Sequence, residues 1–212
     1  MIYCIGDSHA SIFSGNGDII PNWYEINNKD TISYNTSKYF NACRIGPTTA
    51  YGLFMAKHRI DDVLQYVNKK NDQIMFCFGE VDCRTHILKE KHNLDSVVEK
   101  HVNKYIEVIL YYKSLGYNMI IYGPNASWNI NNPYSGPSIG TNIERNNITQ
   151  KFNKYLKEKV IENDMKFVTM FYEMIDSDGN TGDWFDQCGI HIKTEKFQDI
   201  IEHFIKEKII EK

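Results

Sequence analysis

Ser8 stands in the tetrapeptide Gly6-Asp7-Ser8-His9, directly after the short apolar run Ile2-Tyr3-Cys4-Ile5. A strand that ends in Gly-Asp-Ser presents a hydroxyl at a sheet edge, where a nucleophile is useful. Serine is a weak nucleophile and needs a base to take its proton. A candidate base lies far off in sequence, in Gly189-Ile190-His191, just ahead of a final amphipathic segment. An imidazole brought to a serine hydroxyl can run ester chemistry through an acyl-enzyme. Ser8 also has a plain structural reading, in which Asp7 or Ser8 caps a short helix starting near Ala10. A helix starting there would aim the Ser8 backbone N–H at a developing oxyanion.

A second polar cluster follows another apolar run: Phe78-Gly79-Glu80-Val81-Asp82-Cys83-Arg84. Arg84 reads either as a cation near the site or as an arginine ion-paired to Glu80 or Asp82. Other motifs carry less. Gly136-Pro137-Ser138-Ile139-Gly140 matches the spacing of a nucleophile elbow, but that turn needs a strand directly before the serine. The preceding Asn129-Ile130-Asn131-Asn132-Pro133 reads as loop, so this segment is expected to lead into a helix near Thr141. Asp176-Ser177-Asp178-Gly179-Asn180 has its glycine misplaced for a calcium loop and Gln187 at the twelfth position. An Asp-Gly hairpin turn explains it better. His86 and His92 lack the spacing of a metal pair, and Asp61-Asp62 reads as a solvated helix start. Tyr122, Trp128, Tyr134 and Trp184 fall near expected strand ends and offer flat faces to sugar rings or acyl chains, or pack in the core.

The elements that must position these residues show in the hydrophobic pattern. Short, nearly continuous apolar runs at residues 2–5, 74–78, 119–122 and 167–170 read as strands buried on both faces. Helical stripes lie between and after them. Leu94, Val97, Val98, Val102, Tyr105, Ile106 and Ile109 form one; Ile148, Phe152, Leu156 and Val160 a second; Phe197, Ile200, Ile201, Phe204, Ile205 and Ile209 a third. Asn93 and Thr194 are expected to cap the first and last. Residues 48–69 read as one or two more helices with a break near His58, and a strand is expected between Thr31 and Ile45. Strands alternating with helices predict a parallel sheet covered on both sides. In such sheets the irregular segments, here about 14–30 and 124–141, sit at the carboxyl ends of strands, where ligands bind.

The bulk properties narrow the function classes. A chain of 212 residues with 42% hydrophobic and 24% charged residues is expected to form a single domain over 1–212. A net charge of -3 gives no electrostatic reason to expect nucleic acid or an anionic membrane as partner. No signal peptide and no window of about 20 apolar residues is visible. Cysteines 4, 43, 77, 83 and 188 are scattered without a CxxC pair, which suits free thiols in a reducing cytoplasm. No metal or cofactor is expected, and oligomeric state is left open.

In order along the chain, Gly6-Asp7-Ser8, Gly46 after the expected second strand, Gly79-Glu80-Val81-Asp82 and the late His191 resemble the blocks of the SGNH/GDSL hydrolase family. The resemblance spans nearly the whole chain, though these short blocks alone carry it. It implies a flavodoxin-like three-layer α/β/α sandwich with a mostly parallel central sheet. It also implies ester hydrolysis or acyl transfer through a serine acyl-enzyme. In that family the first-block serine is the nucleophile, here Ser8. The second-block glycine gives a backbone N–H to the oxyanion hole, here Gly46 beside that of Ser8. The last-block histidine is the general base, here His191.

Two positions depart from the pattern. The third block usually carries an asparagine as a further oxyanion donor, and Val81 stands in its place. Losing one such donor costs about a hundredfold to a thousandfold in rate. Asp82 keeps the family's position and is expected to order its loop, with Asp7, Glu80 and Arg84 binding substrate or shaping the site. The last block usually has an aspartate three residues before the histidine, and Cys188 stands there. Either Asp186 orients His191 instead, with Asp183 as a second candidate, or a backbone carbonyl does and the site is a Ser–His dyad. The expected activity is hydrolysis of a small acyl ester, acetyl first, on a glycan or other small molecule. Two alternatives stand beside it: O-acyl transfer to a sugar acceptor, and a catalytically weak carbohydrate-binding protein.

Overall fold

The computed structural model describes residues 1–15, 33–90, 92–128, 138–186 and 189–211. Six strands form one sheet: β1 (Ile2–Gly6), β2 (Ser33–Thr36), β3 (Phe40–Arg44), β4 (Gln73–Cys77), β5 (Met119–Tyr122) and β6 (Lys166–Val168). Their order is β2-β3-β1-β4-β5-β6. The five strands β3, β1, β4, β5 and β6 are all parallel, while β2 pairs antiparallel with β3 at the edge. The region expected to hold one strand between Thr31 and Ile45 therefore holds an antiparallel pair. The strand expected at 167–170 ends at Val168, because Met170 already leads into the short helix α4 (Phe171–Met174).

The continuous apolar runs are explained by burial on both faces. Ile5, Ile74, Phe76, Met119 and Ile121 point to one core; Ile2, Cys4, Met75, Cys77, Ile120 and Tyr122 point to the other. Side chains alternate along a strand, so each run feeds both layers. The first core is closed by α1 (Lys57–Leu64), α2 (Leu94–Ser114) and α3 (Asn142–Glu162) through Ile60, Val63, Val102, Tyr105, Ile109, Phe152 and Leu156. The second is closed by α5 (Phe197–Lys206) through Ile200, Ile201 and Phe204, and by a 3₁₀ helix, Ser8–Ser14, through Ala10, Ile12 and Phe13. This is the three-layer α/β/α arrangement with a mostly parallel sheet.

Helix ends differ in detail from their expected caps. Asn93 adopts a left-handed conformation, φ 51°, and its side chain makes no cap bond. Thr194 opens a 3₁₀ turn, Thr194–Lys196, that leads into α5 without capping it. The expected break near His58 is the junction of a 3₁₀ turn, Leu53–Ala56, with α1. Asp61 lies inside α1 instead of at its start, and there it meets Lys57 and the Tyr112 hydroxyl. Thr141 does cap α3, in a reciprocal capping box with Glu144. Among the described residues no helix is long and apolar enough to cross a membrane.

Candidate active site

Because five strands run parallel, their carboxyl ends share one edge, and the loops leaving that edge carry the candidate residues. At β1 the approach is tight. A Cβ on Gly6 would lie 2.6 Å from the Cys77 carbonyl oxygen, so only glycine lets β1 run this close to β4 at its end. The chain then turns at Asp7, whose Oδ1 accepts the His9 backbone N–H at 2.9 Å and caps the 3₁₀ helix. Ser8 is half-buried on its first turn, one or two residues earlier than the expected helix start.

Gly46 follows β3 with φ 90°, a conformation glycine adopts without strain. The loop beyond it is tied to the loop after β4 by Asp82. That carboxylate is fully buried and accepts the Ala50 N–H at 2.7 Å and the Tyr51 N–H at 3.1 Å. It also accepts the His101 Nδ1–H at 2.8 Å. Asp82 thus joins the glycine loop, its own π-helical turn (Asp82–His86) and α2.

Glu80 occupies the other side of the β4 loop. Its Oε1 accepts Arg84 Nε at 2.6 Å and its Oε2 accepts His9 Nε2 at 3.0 Å, with all three side chains buried. Arg84 is therefore the ion-paired arginine, held by Glu80. Val81 stands half-buried between Glu80 and Asp82. His9 has no role in the sequence reading. A signal was present, since His9 adjoins the serine and Glu80 lies four residues before an arginine at a buried strand end. Which imidazole finds which carboxylate, however, depends on the pairing of β1 with β4.

The last segment arrives from the far end of the chain. Phe185 and Ile192 form an antiparallel bridge, and the Asp186 N–H donates to the His191 carbonyl oxygen at 2.9 Å. This narrow loop sets Asp186 and His191 opposite each other. The His191 ring lies against that of His9, centroid to centroid 5.5 Å. The C-terminal loop therefore meets the β1 loop at His9, the residue after Ser8. Asp183 points elsewhere, exposed and paired with Lys193. Gln187 and Cys188 lie outside the described residues.

Burial and neighbouring charges set the electrostatics. Burial pushes the Asp7 carboxyl up to about 6, against the charge and N–H of His9. Burial opposes charge on Glu80 as well, but His9 and Arg84 outweigh it and hold the carboxyl at about 2. For His9, burial favours the neutral ring, yet Glu80 and Asp7 raise its pKa above the ordinary histidine value. His191 is pushed down to about 4, first by burial and then by the charge of His9, with Asp186 pulling the other way.

The loop after β5 completes the rim. Tyr122 donates its hydroxyl to Asn125 Oδ1 at 2.6 Å and is buried in the core, so it offers no open face. A buried polar row on α3 pins this loop: Asn153 donates to the Pro124 carbonyl, Asn146 accepts the Ser127 N–H, and Arg145 donates to the Trp128 carbonyl. The apolar stripe on α3 hides this row from a hydropathy reading. Trp128 is 40% exposed, and Trp184 lies under the Lys196 ammonium at 4.8 Å. Tyr134 and Gly136-Pro137 lie outside the described residues. The residues that precede Ser138, 129–137, lie outside the described residues as well; Ile139 donates its N–H to the Arg84 carbonyl, and Gly140 leads to the Thr141 cap. Residues 176–180 form a hairpin turn closed by the bridge of Ile175 with Thr181. A separate apolar hollow of about 580 Å³, lined by Tyr51, Phe54, Met55 and Tyr111 among others, holds none of the candidate catalytic residues.

No protein-family model and no curated protein matches the chain. Solved structures do. A protein from Streptococcus pneumonia aligns with a TM-score of 0.64 at 18% identity, over 99% of this chain and 83% of its own. A GDSL-like lipase from Bacteroides thetaiotaomicron aligns with a TM-score of 0.58 at 16% identity, over 98% and 86%. An acetyl xylan esterase aligns with a TM-score of 0.58 at 13% identity, over 99% and 100%. The sheet order, the layers and these full-length likenesses agree: the chain has the fold of the SGNH/GDSL hydrolases.

Proposed function

We propose that this protein is a serine esterase acting on small acyl esters, acetyl above all, carried on a carbohydrate. The contact between the His9 and His191 rings supports this most, because it brings a C-terminal imidazole to the residue next to Ser8. In this reading His191 takes the Ser8 proton as the hydroxyl attacks the ester carbonyl. The backbone N–H groups of Ser8 and Gly46 receive the oxyanion, and Asp82 holds the Gly46 loop in register through Ala50 and Tyr51. His191 returns the proton to the leaving alcohol and then activates water to release the acyl group. Asp186, opposite His191 on its loop, steadies the imidazolium while it carries the proton. Fold likeness leaves the substrate open; the sugar assignment draws on the fold likeness to an acetyl xylan esterase and on exposed Trp128 in the loop after β5.

Hydrolysis of a chromogenic acetyl ester and of an acetylated xylo-oligosaccharide tests the reading. Ser8→Ala is expected to lower kcat by at least about a thousandfold, the scale of losing a triad nucleophile. Activity that survives undiminished in Ser8→Ala contradicts the mechanism. Turnover of the chromogenic ester without the oligosaccharide contradicts the sugar assignment alone.

A further inference from the structure

His9 joins a buried carboxylate to the proposed base. Its Nε2 faces Glu80 Oε2 at 3.0 Å, and the other Glu80 oxygen accepts Arg84 Nε at 2.6 Å, so the clamp is fixed at both ends. His9, Glu80 and Arg84 are all buried. Glu80 cannot turn away without breaking two charge-assisted hydrogen bonds. An ionised carboxylate only accepts, so it keeps a proton on His9 Nε2 and favours the imidazolium. The His9 ring also meets the His191 ring, centroid to centroid 5.5 Å at an interplanar angle of 55°. The charged groups facing His9 are Asp7 in its own turn, Glu80 and Arg84 from the β4 loop, and His191 from the C-terminal loop. Those facing His191 are His9, Asp186 across its own loop, Glu80, and Arg44 at the end of β3. Asp186 and Glu80 favour a proton on His191, while His9 and Arg44 oppose it, His9 the more strongly.

We infer that His9 is a positioning residue, a role that rests on the Ser8–His191 reading: held as a cation by Glu80, it opposes a proton on His191 and so sets the lowest pH at which His191 is ready to take the Ser8 proton. His9 acts through His191 alone, and no bond forms or breaks at it. Two unit charges 5.5 Å apart, in an effective dielectric of about 20–40, repel by the equivalent of about one to two pH units. The protonated form of His191 is the one repelled, so its titration moves toward acid. Glu80 is held at about 2 and stays ionised where His191, at about 4, titrates, so the clamp persists there. Asp7, pushed up to about 6, is neutral in that range and leaves Glu80 as the carboxylate that holds the His9 charge. The same repulsion makes His191 a weaker base toward Ser8 and its imidazolium a stronger acid toward the leaving alcohol.

The test compares the full-length wild type with His9→Gln and His9→Lys, with Ser8→Ala as reference. The His191 ring is titrated by NMR in each protein, and the acid limb of kcat/KM is recorded for a chromogenic acetyl ester. His9→Gln keeps a donor for Glu80 and removes the charge. Its His191 midpoint and its acid limb are expected to move up together by about one to two pH units. His9→Lys keeps a cation beside Glu80 and is expected to leave both within about half a unit of wild type. A structural role alone would lower kcat in both variants without moving the midpoint in His9→Gln. A His191 midpoint in His9→Gln within about half a unit of wild type, or an equal upward shift in His9→Lys, overturns the role of His9 and leaves the serine reading standing. Hydrolysis that persists in Ser8→Ala removes the serine reading, and with it any part for His9 in the reaction. Should His9→Gln fail to fold, the wild-type titration decides: His9 is expected to stay protonated across the whole range in which His191 titrates, and a His9 ring already neutral there overturns its role.

Discussion

Replacing Asp82 by alanine should separate the two halves of the site. The Asp82 carboxylate has no exposed surface and accepts three hydrogen bonds: Ala50 N–H at 2.7 Å, Tyr51 N–H at 3.1 Å and His101 Nδ1 at 2.8 Å. Truncation leaves these donors facing a cavity. Hydrogen bonds to a charged group contribute about 1.5–3 kcal/mol each, and breaking a buried charged pair from one side costs about 3–5 kcal/mol. The three donors share one acceptor group and some will find water, so the sum is not taken at face value. A loss of about 3–5 kcal/mol follows. For a chain of this length each kcal/mol lowers Tm by about 2–4 °C, so the melting point should fall by roughly 6–20 °C. Below that lowered Tm the Gly46 N–H should no longer sit in register with Ser8, and kcat should fall with it. Asp82→Asn keeps one acceptor oxygen but turns an amide N–H₂ toward the donors, so it should lie between. Thermal melting by circular dichroism, followed by esterase assays well below each Tm, gives both numbers. A Tm within about 2 °C of wild type, with unchanged kcat, would refute the view that Asp82 ties these loops together.

Two pH effects follow from the buried cluster. Because burial and the charge of His9 hold His191 at about 4, the proposed base stays neutral into acid, and the acid limb of kcat/KM should have its midpoint near pH 4; a midpoint near 6.5 contradicts the environment assigned to His191. Glu80 is held at about 2, below its unfolded value near 4.5, so its contribution to stability is full above about pH 4.5 and is lost as pH falls toward 2. Wild type should therefore lose stability across that window relative to Glu80→Gln in acid-unfolding curves, and parallel curves count against the His9–Glu80–Arg84 clamp.

The strands and their layering were legible because burial on both faces writes itself as unbroken apolar runs. The three long helices showed for the complementary reason, a single buried stripe each. The antiparallel β2–β3 pair was not resolved into two strands, since Ser33-Tyr34-Asn35-Thr36 offers no apolar run to mark the first of them. Asn93 and Thr194 failed as caps because cap type is a local preference that the approach angle of the chain overrides. At the proposed site, the candidate residues were marked one by one by short motifs: Ser8, Gly46, Asp82 and His191. Their partners were not. His9 with Glu80, Asp82 with Ala50, Tyr51 and His101, and Arg145 with the Trp128 carbonyl all depend on which strand ends lie side by side. That follows from the sheet order and has no signature in residue spacing.

The most direct measurement is covalent labelling by a fluorophosphonate, with the modified residue located by mass spectrometry. A hydroxyl activated by an imidazole from the opposite end of the polypeptide should be phosphonylated at Ser8 alone, with labelling abolished in Ser8→Ala and slowed in His191→Ala. Absence of label at Ser8 in the folded wild-type protein, or labelling at Ser8 that proceeds at the same rate without His191, would contradict the account.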